Sequence, residues 1–135
     1  MRYSRTIITG DLLALCAFAL LGLASHEHEV TAAALARTFL PFAVAWLAVG
    51  AAAGMFRPSD SGRPVVGLRL LAAYLAAAVL ALAARSTVFD RMLFSAFFVI
   101  ALVGNGLLIY VWRAAYGRWL GRRSTPARIH EVTRT

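Results

Sequence analysis

Residues 9–29 read TGDLLALCAFALLGLASHEHE, and this stretch decides the fold. An uncharged run, 12–24, follows the acid Asp11 and ends in a Ser-His-Glu-His-Glu cluster. Residues 7–25, coiled as a helix at 1.5 Å per residue, reach about 28 Å, the thickness of a bilayer's hydrocarbon core. An acid at the edge of such a run is costly to place in lipid and marks a site that needs a partner. A cleaved signal peptide is the rival reading, with Arg2 and Arg5 as its basic region and Gly22-Leu23-Ala24 as its cleavage site. Asp11 at the border of the apolar run argues against it, and so does the need for an even number of spans. The run is therefore read as the first of four uncleaved membrane helices.

Three further apolar runs follow. The second is expected over 38–56, with Pro41 in its first turn, where a missing amide hydrogen costs nothing. Thr31 is a second candidate cap, and a helix from there would carry Pro41 inside it. Gly50 and Gly54 form a GxxxG with alanines between them, a surface for close helix packing. Residues 57–64, RPSDSGRP, are a polar loop with two prolines and a glycine. The third span is expected over 65–84, where Ala73, Ala77 and Ala81 repeat every four residues as a packing seam ending at Arg85. A tight loop, 85–91, leads to the fourth span over 92–112. That span is bulky and is interrupted at Gly104-Asn105-Gly106. Beyond it Trp112, Tyr116, Trp119 and Leu120 recur at i, i+4, i+7 and i+8 with arginines interleaved. This reads as the last helix running to about 123 at the interface, before a disordered tail over 124–135.

Composition agrees. Of 135 residues 61% are hydrophobic and only 15% charged, against about 45–50% apolar in soluble domains. All 14 basic residues are Arg, giving a net charge of +8. Six of the 14 lie after the last apolar run, where anionic lipid headgroups, not nucleic acid, are the expected partner. Four helices place both termini and the middle loop on one side. That side carries Arg2, Arg5, Arg57, Arg63, Arg69, Arg113, Arg118, Arg122, Arg123, Arg128 and Arg134, and the other only Arg37, Arg85 and Arg91. The bias predicts both termini in the cytoplasm and a multi-pass protein of the cell membrane. The fold class is all-α, an up-down bundle of four transmembrane helices in one domain.

Several of these residues also carry a family resemblance. Gly10-Asp11 opens an Ala/Leu helix that Ser25-His26 closes. Pro41-Phe42 and Trp46 lie in the second helix, and Arg57 follows it. This pattern, over roughly residues 9–112, resembles the uncharacterised prokaryotic membrane family catalogued as domain of unknown function 3054. The resemblance implies a four-helix membrane protein of actinobacterial or archaeal type. It brings no activity, cofactor or substrate.

The residues able to carry chemistry are few. Measured inward along their helices, Asp11 and Arg69 lie about 6 Å deep and Asn105 about 10 Å. The three are expected to share a layer, with Arg69 as the partner of Asp11. They would serve as a register-fixing ion pair or as a proton-coupling carboxylate. At the other end, His26, Glu27, His28 and Glu29 contain metal-ligating residue types. A third His is missing on that side, so a solvated cap paired with Arg85 is expected, and no metal is assigned. Trp46 falls near mid-bilayer and reads as a bundle-facing ring. Cys16, the single cysteine, reads as a small buried hydrophobe and excludes disulfide exchange within one chain. GxSxG, HExxH, CxxC and phosphate-binding-loop motifs are all absent from the sequence, so familiar hydrolases, zincins, thiol oxidoreductases and nucleotide enzymes are disfavoured, and no cofactor is expected. Two function classes remain. One is a structural or accessory membrane component packing with itself, as a homodimer, or with a partner. The other is a small dimeric proton-coupled transporter using Asp11. The plan is similar to small multidrug-resistance exporters, although Asp11 lies nearer the interface than the acid of that family.

Overall fold

A computed structural model describes residues 4–25, 30–89 and 96–123. Its helices are α1 (Arg5–Ser25), α2 (Ala32–Ala52), α3 (Leu68–Phe89) and α4 (Ala96–Arg123), and no strand occurs among the described residues. All four are long and apolar enough to cross a membrane. Each contacts its two neighbours in a closed ring, α1 on α2 and α4, and α3 on α2 and α4. Gly10 of α1 lies under Trp112 of α4, and Phe18 lies over Gly104, so these helices run antiparallel. Trp46 reaches back to Asp11, and Ala53 to Arg69, so the other neighbours of α2 are antiparallel to it too. The result is an up-down four-helix bundle. Its outer surface is apolar: Leu13, Leu21, Val44, Val79, Val103 and Leu107 are all exposed. A soluble bundle puts polar side chains on that face; lipid accepts this one.

Local chemistry sets the ends. Ser4 caps α1, its carbonyl accepting from the Ile8 amide at 3.2 Å, while its own amide donates to the Phe56 carbonyl at 2.9 Å. The N-terminal end of α1 is thereby tied to the α2–α3 loop. The start of α2 corrects the expected boundary at 38. Thr31 is the N-cap, extended at φ −96° and ψ 154°, and its Oγ1 accepts from the Ala34 amide at 3.1 Å. Pro41 therefore lies inside the helix. Its ring leaves the Arg37 carbonyl without its helical donor, which membrane helices tolerate when packed.

The other end of α2 corrects the GxxxG reading. The helix stops at Ala52, two residues before Gly54. Gly54 has φ +69°, its amide donates to Ala51 O at 3.1 Å, and the Met55 amide donates to Gly50 O at 2.7 Å. This is a Schellman cap, in which Gly54 supplies the left-handed residue and is not part of a helix face. Gly50 does allow close approach, but inside the chain: a Cβ there would stand 2.6 Å from the Phe56 ring. Met55, Phe56 and Pro64 are buried, so the loop folds onto the end of the bundle.

The expected third span, 65–84, shifts. Residues 64–67 belong to the loop, and α3 continues past Arg85 to Phe89, so no tight loop begins at 85. Ala73, Ala77 and Ala81 are buried, on the helix that makes the most extensive contact with α2. Gly104-Asn105-Gly106 does not interrupt α4, which is continuous. The glycines there are seats for aromatic rings, Phe18 on Gly104 and Tyr74 on Gly106. The Tyr74 hydroxyl donates to the carbonyls of Leu102 at 2.9 Å and Ala101 at 3.2 Å, pinning α3 to α4. Toward its C-terminal end, α4 stacks Trp112, Tyr116 and Trp119 with centroids 5.2 and 5.9 Å apart, and Arg123 covers Trp119 at 3.9 Å. The expected tail, 124–135, lies outside the described residues.

Candidate functional site

The buried stripes of α1 and α4 bring the site together. Ile7, Asp11, Leu15 and Ala19 form the inner face of α1, each four residues from the last. Ala101, Asn105, Ile109 and Arg113 form that of α4 at the same spacing. Antiparallel packing sets Asp11 opposite Arg113. Both side chains are 0% exposed.

The contact is dense. Arg113 Nη2 donates to Asp11 Oδ2 at 2.6 Å, and Nε is shared between Oδ1 at 3.1 Å and Oδ2 at 3.2 Å. Trp46 Nε1 donates to Oδ2 at 2.9 Å. The other arm of the guanidinium, Nη1, donates to the carbonyls of Met55 at 3.0 Å and Val65 at 3.2 Å. The cation also lies against two rings, 5.5 Å from the Trp46 centroid and 5.9 Å from Phe56. Those rings meet edge to face, and Trp46 packs in the same way on Tyr74. One cluster thus joins α1, α2, α4 and both ends of the α2–α3 loop. Isolated charges at such a place are prohibitive; paired and hydrogen-bonded on every side, they are tolerated. With its carboxylate held by side chains of α2 and α4, the arrangement ties elements together.

Arg69 is not part of it. As the second residue of α3 it sits at the helix mouth, exposed, with Nη2 donating to the Ala53 carbonyl at 2.9 Å. It closes the end of α2, a favourable place for a cation. The expected Asp11–Arg69 pair is therefore replaced by Asp11–Arg113. Asn105 is buried on the face of Arg113 but two turns away, and its Oδ1 has no hydrogen-bond partner among the described residues. Of the three predicted polar residues, none bonds to another.

His26, Glu27, His28 and Glu29 lie outside the described residues. Arg85 is half-buried near the end of α3. Among the described residues no group of three His, Cys, Asp or Glu side chains is placed to hold a metal. Cys16 is a free, half-buried thiol on α1.

A family model described as "Protein of unknown function (DUF3054)" matches residues 8–116. The chain belongs to this family. The matched region of this DUF3054 protein contains every residue of the Asp11 cluster. No curated protein and no solved structure matches the chain.

Sequence reasoning missed Arg113 and the role of Trp46. A signal for Arg113 exists: it stands eight residues from Asn105, which is one helical face. Ending the membrane span at 112, with the helix running on to about 123, assigned Arg113 to the interfacial arginines instead.

Proposed function

We propose that this DUF3054 protein is a structural or accessory component of the cell membrane, held in one fixed arrangement by the Asp11–Arg113–Trp46 cluster. The observation that carries the reading is the burial of Asp11 against Arg113 and Trp46. A coupling carboxylate must exchange protons with both sides of the membrane in turn, and so needs a path to each. Asp11 has zero exposure and hydrogen bonds to both oxygens. Its neighbours are rings, a guanidinium and backbone. That favours the accessory role over the proton-coupled transporter.

In this reading both termini face the cytoplasm, because the termini and the 57–69 loop region carry eleven of the 14 arginines. The arginines after Trp112 meet anionic headgroups, and nucleic acid is not a partner. Association with a second copy or another membrane protein would use lipid-facing surfaces, since Gly50 and the Ala73/Ala77/Ala81 seam are occupied within the chain.

Two measurements test this. A reporter active only in the cytoplasm, fused after Thr135, should give signal; periplasmic activity would overturn the topology. Reconstituted vesicles should show no proton flux that depends on Asp11. Flux abolished by Asp11→Asn in a variant that still folds would overturn the accessory reading in favour of the transporter.

A further inference from the structure

The middle of the bundle holds a polar group that no described contact satisfies. Asn105 is the only carboxamide in the chain, which has no Gln. It is 2% exposed, and its Oδ1 has no hydrogen-bond partner among the described residues. Gly104, beneath the Phe18 ring, faces α1, and Gly106, beneath Tyr74, faces α3. Asn105 lies between them, about 100° around the helix from each, so its side chain is directed at the bundle axis.

Its surroundings explain why the amide is left over. Two turns separate Asn105 from Arg113 on α4. The same step from Asp11 along α1 reaches Ala19. From Val65, whose carbonyl Arg113 meets, the step into α3 reaches Ala73, with Ala77 one turn on. All three alanines are buried, and none carries a hydrogen-bonding side chain. On α2 the step back from Trp46 reaches Thr38, which is half-buried and donates its hydroxyl to the Ala34 carbonyl at 3.1 Å. Tyr74 reaches the same level from α3, its hydroxyl 3.2 Å from the Ala101 carbonyl and 2.9 Å from that of Leu102. The Asn105 side chain leans toward its own N-terminal turn, over Ala101, so hydroxyl and carboxamide share one turn of α4. Both hydroxyl protons are engaged on backbone, and what this level lacks is a donor.

That deficit defines the ligand. A buried polar group finds its partner in protein or in ordered water. A cation would need an anion beside it, and Asp11, two turns away, is paired with Arg113. Water both donates and accepts, so it serves the amide in either orientation. Its second proton suits the Tyr74 oxygen, which keeps lone pairs after donating to the carbonyls.

We propose that Asn105 binds a buried water molecule on the bundle axis, and that this water bridges its carboxamide to the Tyr74 hydroxyl. The site depends on the packing of the four helices and not on the accessory role. The full chain in lipid nanodiscs is given a millisecond X-ray pulse, which makes hydroxyl radicals from bound water as well as bulk, and oxidised residues are mapped by mass spectrometry. Tyr74, 4% exposed, should be oxidised several-fold faster than Trp46 at 1%, although an indole is the more reactive ring. Asn105→Leu keeps the size of the side chain and should lower the rate at Tyr74 several-fold, leaving that at exposed Tyr110 unchanged, with circular dichroism showing that the variant is folded. In wild-type protein carrying 15N-asparagine, the single carboxamide should show a nuclear Overhauser contact to water. Tyr74 oxidised no faster than Trp46 would overturn the site without recourse to a variant. A rate at Tyr74 unchanged in folded Asn105→Leu would remove Asn105 from it. A contact of the carboxamide to another side chain in place of water would give the amide a protein partner and overturn the proposal. Proton flux dependent on Asp11 would overturn the accessory reading and leave each of these results as it stands.

Discussion

The Asp11–Arg113 pair makes a quantitative prediction. Asp11→Leu strands a guanidinium that is 0% exposed, and Arg113→Met strands an equally buried carboxylate. Each should destabilise the bundle by about 3–5 kcal/mol, the usual cost of an uncompensated buried charge. Were the sites independent, the double variant would lose roughly 6–10 kcal/mol. If they are partners, it should lose about as much as one single variant, a coupling of about 3 kcal/mol or more. It should not return to wild type. Trp46 Nε1 and the carbonyls of Met55 and Val65 lose their partners in the double variant, and each unsatisfied group costs about 1–3 kcal/mol unless water reaches it. The assay is reversible unfolding in mixed micelles with a rising fraction of denaturing detergent, followed by helical circular dichroism. A parallel cycle of Asp11→Leu with Arg69→Gln should be additive within about 0.5 kcal/mol, because Arg69 bonds only the Ala53 carbonyl among the contacts described for it. Additive losses at Asp11 and Arg113 would refute the assignment of partners. Coupling at Arg69 would restore the pairing first expected from depth along the helices.

Trp46→Phe keeps a ring against Phe56 and Tyr74 but removes the donor to Asp11 Oδ2, and should cost about 1.5–3 kcal/mol in the same unfolding assay. Gly54→Ala should cost about 1–2 kcal/mol because it forces a Cβ into a backbone with φ +69°, and Gly54→Asn should cost less; equal stability of all three would refute the Schellman cap. Gly104→Leu displaces the Phe18 ring and should destabilise by about 1–3 kcal/mol, whereas Gly22→Leu, where a Cβ meets nothing, should leave the unfolding midpoint unchanged within error.

The four helices are legible in the sequence because lipid imposes a length and a composition on each of them, and neither depends on knowing the neighbours. Asp11 stands out for the same reason: an acid in an apolar run is a local anomaly. Its partner is not local. Choosing between Arg69 and Arg113 requires the register of α1 against α4, and that is set by how Gly10 receives Trp112 and Gly104 receives Phe18. Depth counted from a guessed helix start is out by several residues when the start is wrong, as at 65, where α3 begins at Leu68. The glycines mislead in a consistent way. GxxxG and Gly-Asn-Gly suggest surfaces for another helix backbone or a break, whereas here Gly50, Gly104 and Gly106 accept rings from within the chain and Gly54 caps α2. Sequence spacing locates the small residues but does not say what fills the space above them.

The position of the ion pair suggests why a bundle with a largely apolar core keeps it. Apolar packing in lipid has little directional preference, since a hydrocarbon tail is as good a neighbour as a leucine. Sliding α1 along α4 by one turn would exchange one set of apolar contacts for another. It would also move Asp11 about 5.4 Å from Arg113 and leave two buried charges apart. The same slip would withdraw the carboxylate from Trp46 and the guanidinium from Met55 and Val65, so α2 and its following loop are locked with it. A single acid, read by a cation from α4 and an indole from α2, thus fixes the register of three helices at one end. At the other side of the ring Tyr74 fixes α3 on α4 through backbone carbonyls alone. That contact has no charge to strand: a slip of α3 along α4 would cost the Tyr74 hydroxyl its carbonyl partners and the ring its seat on Gly106, but would leave no buried ion without a partner.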